Sequence, residues 1–182
     1  LPPLAGPYLV AAVVCGVTVG LLLVFLRPDP YRESLRLRGD VKPGVQRPRI
    51  RDGIEHLKNR PRAVLGIGAV AVGHVAMVMV MVMTPVHMAH VDVSLQLIGL
   101  VISVHVAGMY ALSPMVGMAV DRFGRLTVIG AGVVILLTAC AVSGLAPADD
   151  VVTLGIGLFL LGLGWSCTLI AGSTLVTDEV DP

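Results

Sequence analysis

The sequence predicts an all-α integral membrane protein, a bundle of about five transmembrane helices, on three observations. Hydrophobic residues make up 55 % of the 182 and charged residues only 14 %, and the mean hydropathy is +0.89. A soluble domain carries about a quarter charged residues, so this chain is too poor in charge to cover a water-facing surface. The apolar residues also gather into five runs, and each reaches the roughly 20 residues needed to cross a hydrocarbon core about 30 Å thick. The basic residues are segregated: 11 of the 13 Lys and Arg lie between Arg27 and Arg62, and the other two are Arg122 and Arg125.

In chain order, the first run is Leu4–Leu26, where Ala12, Gly16 and Gly20 recur every four residues and permit close helix contact. Residues 27–62 follow as a basic loop. Its Pro-, Gly- and Arg-rich part to Gly53 reads as a linker, and Ile50–Lys58 is compatible with a short amphipathic helix on anionic headgroups. The remaining runs are Ala63–Val86, Leu95–Val120, Leu126–Leu145 and Val151–Val176. Each is expected to be helical, because an unpaired backbone group in lipid costs several kcal/mol and a helix pairs its own. A β-barrel would need alternating apolar and polar residues, which these runs lack. Pro85 and Pro114 interrupt their spans, and Gly155, Gly157, Gly162 and Gly164 thin the last one.

The loops set direction. Residues 27–62 and 121–125 hold all the Lys and Arg and are expected in the cytoplasm. The connections 87–94 and 146–150 carry Asp92, Asp149 and Asp150 without a basic residue and are expected outside. Five spans then alternate consistently, except that Asp178 and Glu179 stand at a cytoplasmic end with no basic residue beside them in sequence. The charges flank apolar spans instead of lining a soluble face, which excludes a nucleic-acid footprint. Cys15, Cys140 and Cys167 sit singly inside apolar runs and read as small buried hydrophobes, so neither a disulfide framework nor a metal is expected. The start at Leu1, without Met or a basic region, reads as the interior of a longer chain.

Between the third and fourth spans the sequence reads Gly117-Met118-Ala119-Val120-Asp121-Arg122-Phe123-Gly124-Arg125. Gly117 permits close helix approach and Gly124 a tight reversal. Asp121 can accept hydrogen bonds, and Arg122 and Arg125 can bind headgroups or a partner carboxylate. This turn resembles the cytoplasmic-loop signature of the major facilitator superfamily, G-x-x-x-D-R-x-G-R, and Asn59-Arg60-Pro61-Arg62 is also similar to members of it. Leu126 departs from the pattern, since many members have a basic residue there. The resemblance implies a partial fold of that family. Residues 1–26 would be the last helix of an N-terminal half, 27–62 the central cytoplasmic loop, and 63–182 the first four helices of a C-terminal half.

The function this resemblance implies is a secondary active transporter of a small solute by alternating access, present as an incomplete chain, with proton-coupled efflux of drug-like compounds as the finer expectation. Its partners would be the lipid bilayer, a small-molecule substrate and protons, with no cofactor and no catalytic residue. Its location would be a bacterial plasma membrane, given the Arg-over-Lys, Ala- and Val-rich composition. Intramembrane ionisable groups are the natural site candidates, and here they are His74 and His105, each near the middle of its span. Met77 and Met81 share a helical face with His74, and Tyr110 and Trp165 could stack on a substrate. The plainer alternatives are packing methionines and neutral histidines bonded to a neighbouring helix. Two other functions stand beside transport: a metal-dependent intramembrane enzyme built on His87, His90 and Asp92, and a remnant that transports nothing.

Overall fold

The computed structural model describes residues 5–26, 57 and 59–180. These divide between two units, residues 1–48 and 49–182. The first contributes α1, Ala5–Phe25, whose 21 residues give about 32 Å of helix, enough to cross a bilayer. Ala12, Gly16 and Gly20 form an exposed stripe on it. The single hydroxyl of this helix's threonine, Thr18, donates back to the Val14 carbonyl at 2.8 Å and so needs no water. The central loop and the Ile50–Lys58 helix fall almost wholly outside the described residues.

The second unit holds α2 (Pro61–Ala89), α3 (Leu95–Tyr110), α4 (Ser113–Phe123), α5 (Arg125–Leu145) and α6 (Val151–Val180). Among the described residues, five helical stretches, counting α3 and α4 together, are long and apolar enough to span a membrane. The expected third run is thus two helices. Pro114 has no N–H to offer the Tyr110 carbonyl one turn back, and the chain breaks at Ala111 and Leu112. Pro85, by contrast, stays inside α2 without ending it. At Gly124 the backbone adopts φ +87°, which favours glycine, and reverses α4 into α5.

α6 is the hub, packed on α2, α3, α4 and α5. Of its most apolar stretch 61 % is buried, against 17, 22 and 28 % in the other spans of this unit. Glycines make that possible. A Cβ on Gly172 would meet the Gly66 carbonyl of α2 at 2.9 Å, one on Gly164 the Gly132 carbonyl of α5 at 3.0 Å, and one on Gly162 the Met109 nitrogen of α3 at 2.8 Å. Backbones in contact at three interfaces are the small-residue packing that lipid-facing helices use in place of a hydrophobic driving force. The close approach expected at Gly117 does not occur: a Cβ there would meet nothing within 4 Å among the described residues.

Contact registers give direction. His105 pairs with Leu158 and Ser113 with Ser166, both 53 residues on, so α3 and α4 run parallel to α6. Gly66 meets Gly172 while His74 meets Trp165, so α2 is antiparallel to it. The ends that the charge pattern assigns to one side of the membrane lie together. Arg125 Nε donates to Asp178 Oδ2 at 2.7 Å, and Arg62 lies 3.7 Å from Glu179. The acidic end of α6 thus takes its basic partners from the starts of α5 and α2. At the opposite end Met88, Ile98, Val101, Ala146, Leu154 and Leu158 form one apolar cluster.

Candidate functional site

α2 and α3 scarcely touch each other, although both pack on α6. The side of α6 left between them, the α2–α3 groove, carries Trp165, which His74 of α2 and Tyr110 of α3 each meet. His74 is the fourteenth of 29 residues in α2, Trp165 the fifteenth of 30 in α6, and Tyr110 the sixteenth of 29 in Leu95–Phe123. All three therefore sit halfway along their spans.

The Trp165 indole N–H donates to His74 Nδ1 at 3.1 Å. An indole nitrogen only donates, so Nδ1 must accept and the neutral imidazole carries its proton on Nε2. The tautomer is fixed by a residue 91 positions away in the chain. Tyr110 meets Trp165 edge to face, with ring centroids 6.3 Å apart and planes at 78°, the geometry that the ring quadrupoles favour. Trp165 is 8 % exposed and Tyr110 61 %, so the indole is the buried support and the phenol the surface presented to the groove. Met77 is buried with Trp165, Leu136 and Leu161, and Met81 packs half-buried against the same cluster. The structure therefore brings His74, Met77, Met81 and Tyr110 together around Trp165.

His105 does not join them. It is fully buried, its Nδ1 donating to the Leu158 carbonyl of α6 at 2.8 Å, and its Nε2 has no partner. In this position the imidazole ties α3 to α6. Just below Tyr110 the helix break is tied to α6 by Ser113, whose hydroxyl donates to the Met109 carbonyl at 2.9 Å and lies 3.3 Å from the Ser166 hydroxyl.

A cavity of about 760 Å³ opens between α2 and α5 nearer the Asp150 end, lined by Met79, Met83, Thr84, His87, His90 and Ser143 among others. Two of its polar groups are turned to their own helix, while the buried Ser143 hydroxyl has no partner among the described residues. His90 Nδ1 donates to the Val86 carbonyl at 2.7 Å and Thr84 to Val80 at 2.8 Å. Among the described residues no three His, Cys, Asp or Glu side chains converge to hold a metal, so the His87, His90 and Asp92 centre of the enzyme reading is not formed.

The signature turn caps the other end. Arg125 holds Asp178, the Arg122 guanidinium lies 5.6 Å over the Phe123 ring, and Asp121 is exposed. Sequence reasoning did not find Arg62, Asp178, Glu179, Ser113 or Ser166. The unexplained acids at the end of α6, and the expectation that Arg125 could bind a partner carboxylate, hinted at the first three.

The family described as Major Facilitator Superfamily matches residues 3–182. The chain is 36 % identical over its whole length to the MFS-type transporter YddS of Bacillus subtilis, and 35 % identical to YdeG of the same organism. It is 24 % identical over 96 % of its length to the riboflavin transporter RfnT of Brucella anthropi. The chain spans about two fifths of these relatives, 42, 42 and 41 % of their lengths. No solved structure gives a significant match.

Proposed function

The chain belongs to the Major Facilitator Superfamily, and from that premise we propose that it is part of a secondary transporter that moves a small solute by alternating access. It is a multi-pass membrane protein, and a bacterial plasma membrane is the location we propose. On this reading residues 1–26 end an N-terminal half, 27–62 are the central cytoplasmic loop, and 63–182 begin the C-terminal half. The groove between α2 and α3 then faces the opposite half, and the solute meets His74 and Tyr110. The observation that carries the proposal is the convergence of a histidine, a tyrosine and a tryptophan from three helices at mid-span, the depth at which such transporters bind.

Proton coupling would pass through His74. A second proton on its ring would set an Nδ1–H against the indole N–H, donor against donor, and free Trp165. The Tyr110 phenol meets the same indole, and α2 carries no Asp, Glu, Lys or Arg between Ala63 and Ala89. Arg125–Asp178 and Arg62–Glu179 would clamp the cytoplasmic ends in this conformation. RfnT, named for riboflavin transport, supports looking among small organic solutes first, with efflux of drug-like compounds the direction we propose.

The test reconstitutes the intact gene product in vesicles with an imposed pH gradient and follows solutes and protons together. Solute movement that collapses to background with His74→Phe is the expected result. Flux unchanged by both His74→Phe and Asp121→Asn would overturn the proposal.

A further inference from the structure

We infer that the α2–α3 groove takes a flat, uncharged aromatic ring system bearing a hydrogen-bond acceptor such as a ring carbonyl. The inference rests on the transporter reading above and adds the chemical class of the solute.

Three features define the class. First, Trp165 holds His74 Nδ1 as an acceptor, so the neutral ring has one donor left, Nε2–H, on an exposed side chain. A ligand that covers this donor must supply an acceptor, since leaving it unpaired once covered carries a penalty. Second, Tyr110 stands perpendicular to the buried indole and keeps 61 % of its surface open. Its edge-to-face contact with Trp165 favours one orientation and leaves ring surface on which an incoming ring can stack. The half-buried Met81 adds polarizable sulfur beside the same cluster, which favours aromatic contact over aliphatic.

Third, no Asp, Glu, Lys or Arg lies within Ala63–Ala89, Leu95–Val120 or Val151–Thr177. A charged group brought to mid-span on this side would find no counter-ion, at a cost of several kcal/mol. On this face a neutral ring is therefore favoured over a charged one.

The test measures binding to the intact gene product in lipid nanodiscs by equilibrium dialysis, with empty nanodiscs subtracted. Three probes separate the features: acridone is flat with a carbonyl, carbazole is flat without one, and dicyclohexyl ketone has a carbonyl but is not flat. Acridone is expected to bind about tenfold more tightly than either of the others. His74→Phe should erase the advantage over carbazole, and His74→Gln, which keeps an N–H at similar reach, should restore part of it. Tyr110→Leu should erase the advantage over dicyclohexyl ketone. Equal binding of the three probes, or a preference that survives both substitutions, would overturn the inference. Flux in vesicles keeps the two ideas apart. His74-dependent flux of an aliphatic or charged solute, with acridone unbound, removes the ligand class and leaves the transporter standing. Acridone bound as expected, with no solute crossing, sinks the transporter and leaves the binding class.

Discussion

Two histidines near the middle of neighbouring spans have opposite surroundings. His105 is fully buried against α6, donates to a backbone carbonyl and leaves Nε2 without a partner. His74 is exposed on the groove, accepts from an indole and offers its remaining N–H outward. The same residue type is packing material in one place and a presented donor in the other. What decides it is the partner. The carbonyl of Leu158 belongs to a helix that must lie against α3, whereas Trp165 orients His74 without covering it. A histidine in a membrane span is thus no functional site by composition alone.

The contrast depends on α6 holding both neighbours at fixed distance, so the largest effect should come from disturbing that. Gly162→Leu would drive a side chain into the α3 backbone at Met109. It should cost about 3 kcal/mol, the upper end for overpacking, and abolish the His105 and Tyr110 contacts together. Thermal unfolding in detergent would show the midpoint fall, and an unchanged midpoint would mean that α3 and α6 are not packed this way.

Next comes His105 itself. His105→Ala opens a cavity and should cost about 2–3 kcal/mol. His105→Leu fills the space and removes the unpaired nitrogen, so it should cost under about 1.5 kcal/mol. Equal losses on the same unfolding assay would place a larger share of the energy in the hydrogen bond.

The cytoplasmic pair is smaller. Arg125 and Asp178 remain 33 and 46 % exposed, and Arg125→Ala should cost between about 0 and 1 kcal/mol, less in high salt. A larger, salt-independent loss would point to a buried role for Arg125.

The smallest effect concerns the start of α6. The Thr153 hydroxyl and backbone N–H donate to the Asp150 carboxylate and hold it below the usual carboxylate range. A lowered carboxyl pKa stabilises the fold above the unfolded value and loses that contribution as pH falls through the folded one. Intrinsically corrected amide exchange at Thr153 should stay flat from about pH 7 to 5 and rise only under more acid conditions. A rise already near pH 6 would contradict the cap.

Much of the fold was legible in the chain. Five uncharged runs gave five spans with ends within about four residues, because lipid leaves an apolar segment few options besides helix. Pro114 marked the third span as interrupted, and the Gly117–Arg125 turn pointed to the family. Glycines visibly thinned the last span, but that they bring it against α2, α3 and α5 at once was not legible. Gly117 misled, since a small residue permits an approach and does not compel one. The His74–Trp165 bond could not be read, because 91 residues separate its ends and only the antiparallel register of α2 on α6 brings them together. His74 and His105 looked alike for the same reason: what distinguishes them lies entirely on other helices.

The central claim is that His74 faces the solute and His105 does not. Solute flux in proteoliposomes, with His74→Leu and His105→Leu compared at matched protein amounts, tests it most directly. Flux should fall about a hundredfold or more with His74→Leu and stay within about threefold of the parent with His105→Leu. Loss with His105→Leu and survival with His74→Leu would contradict the account.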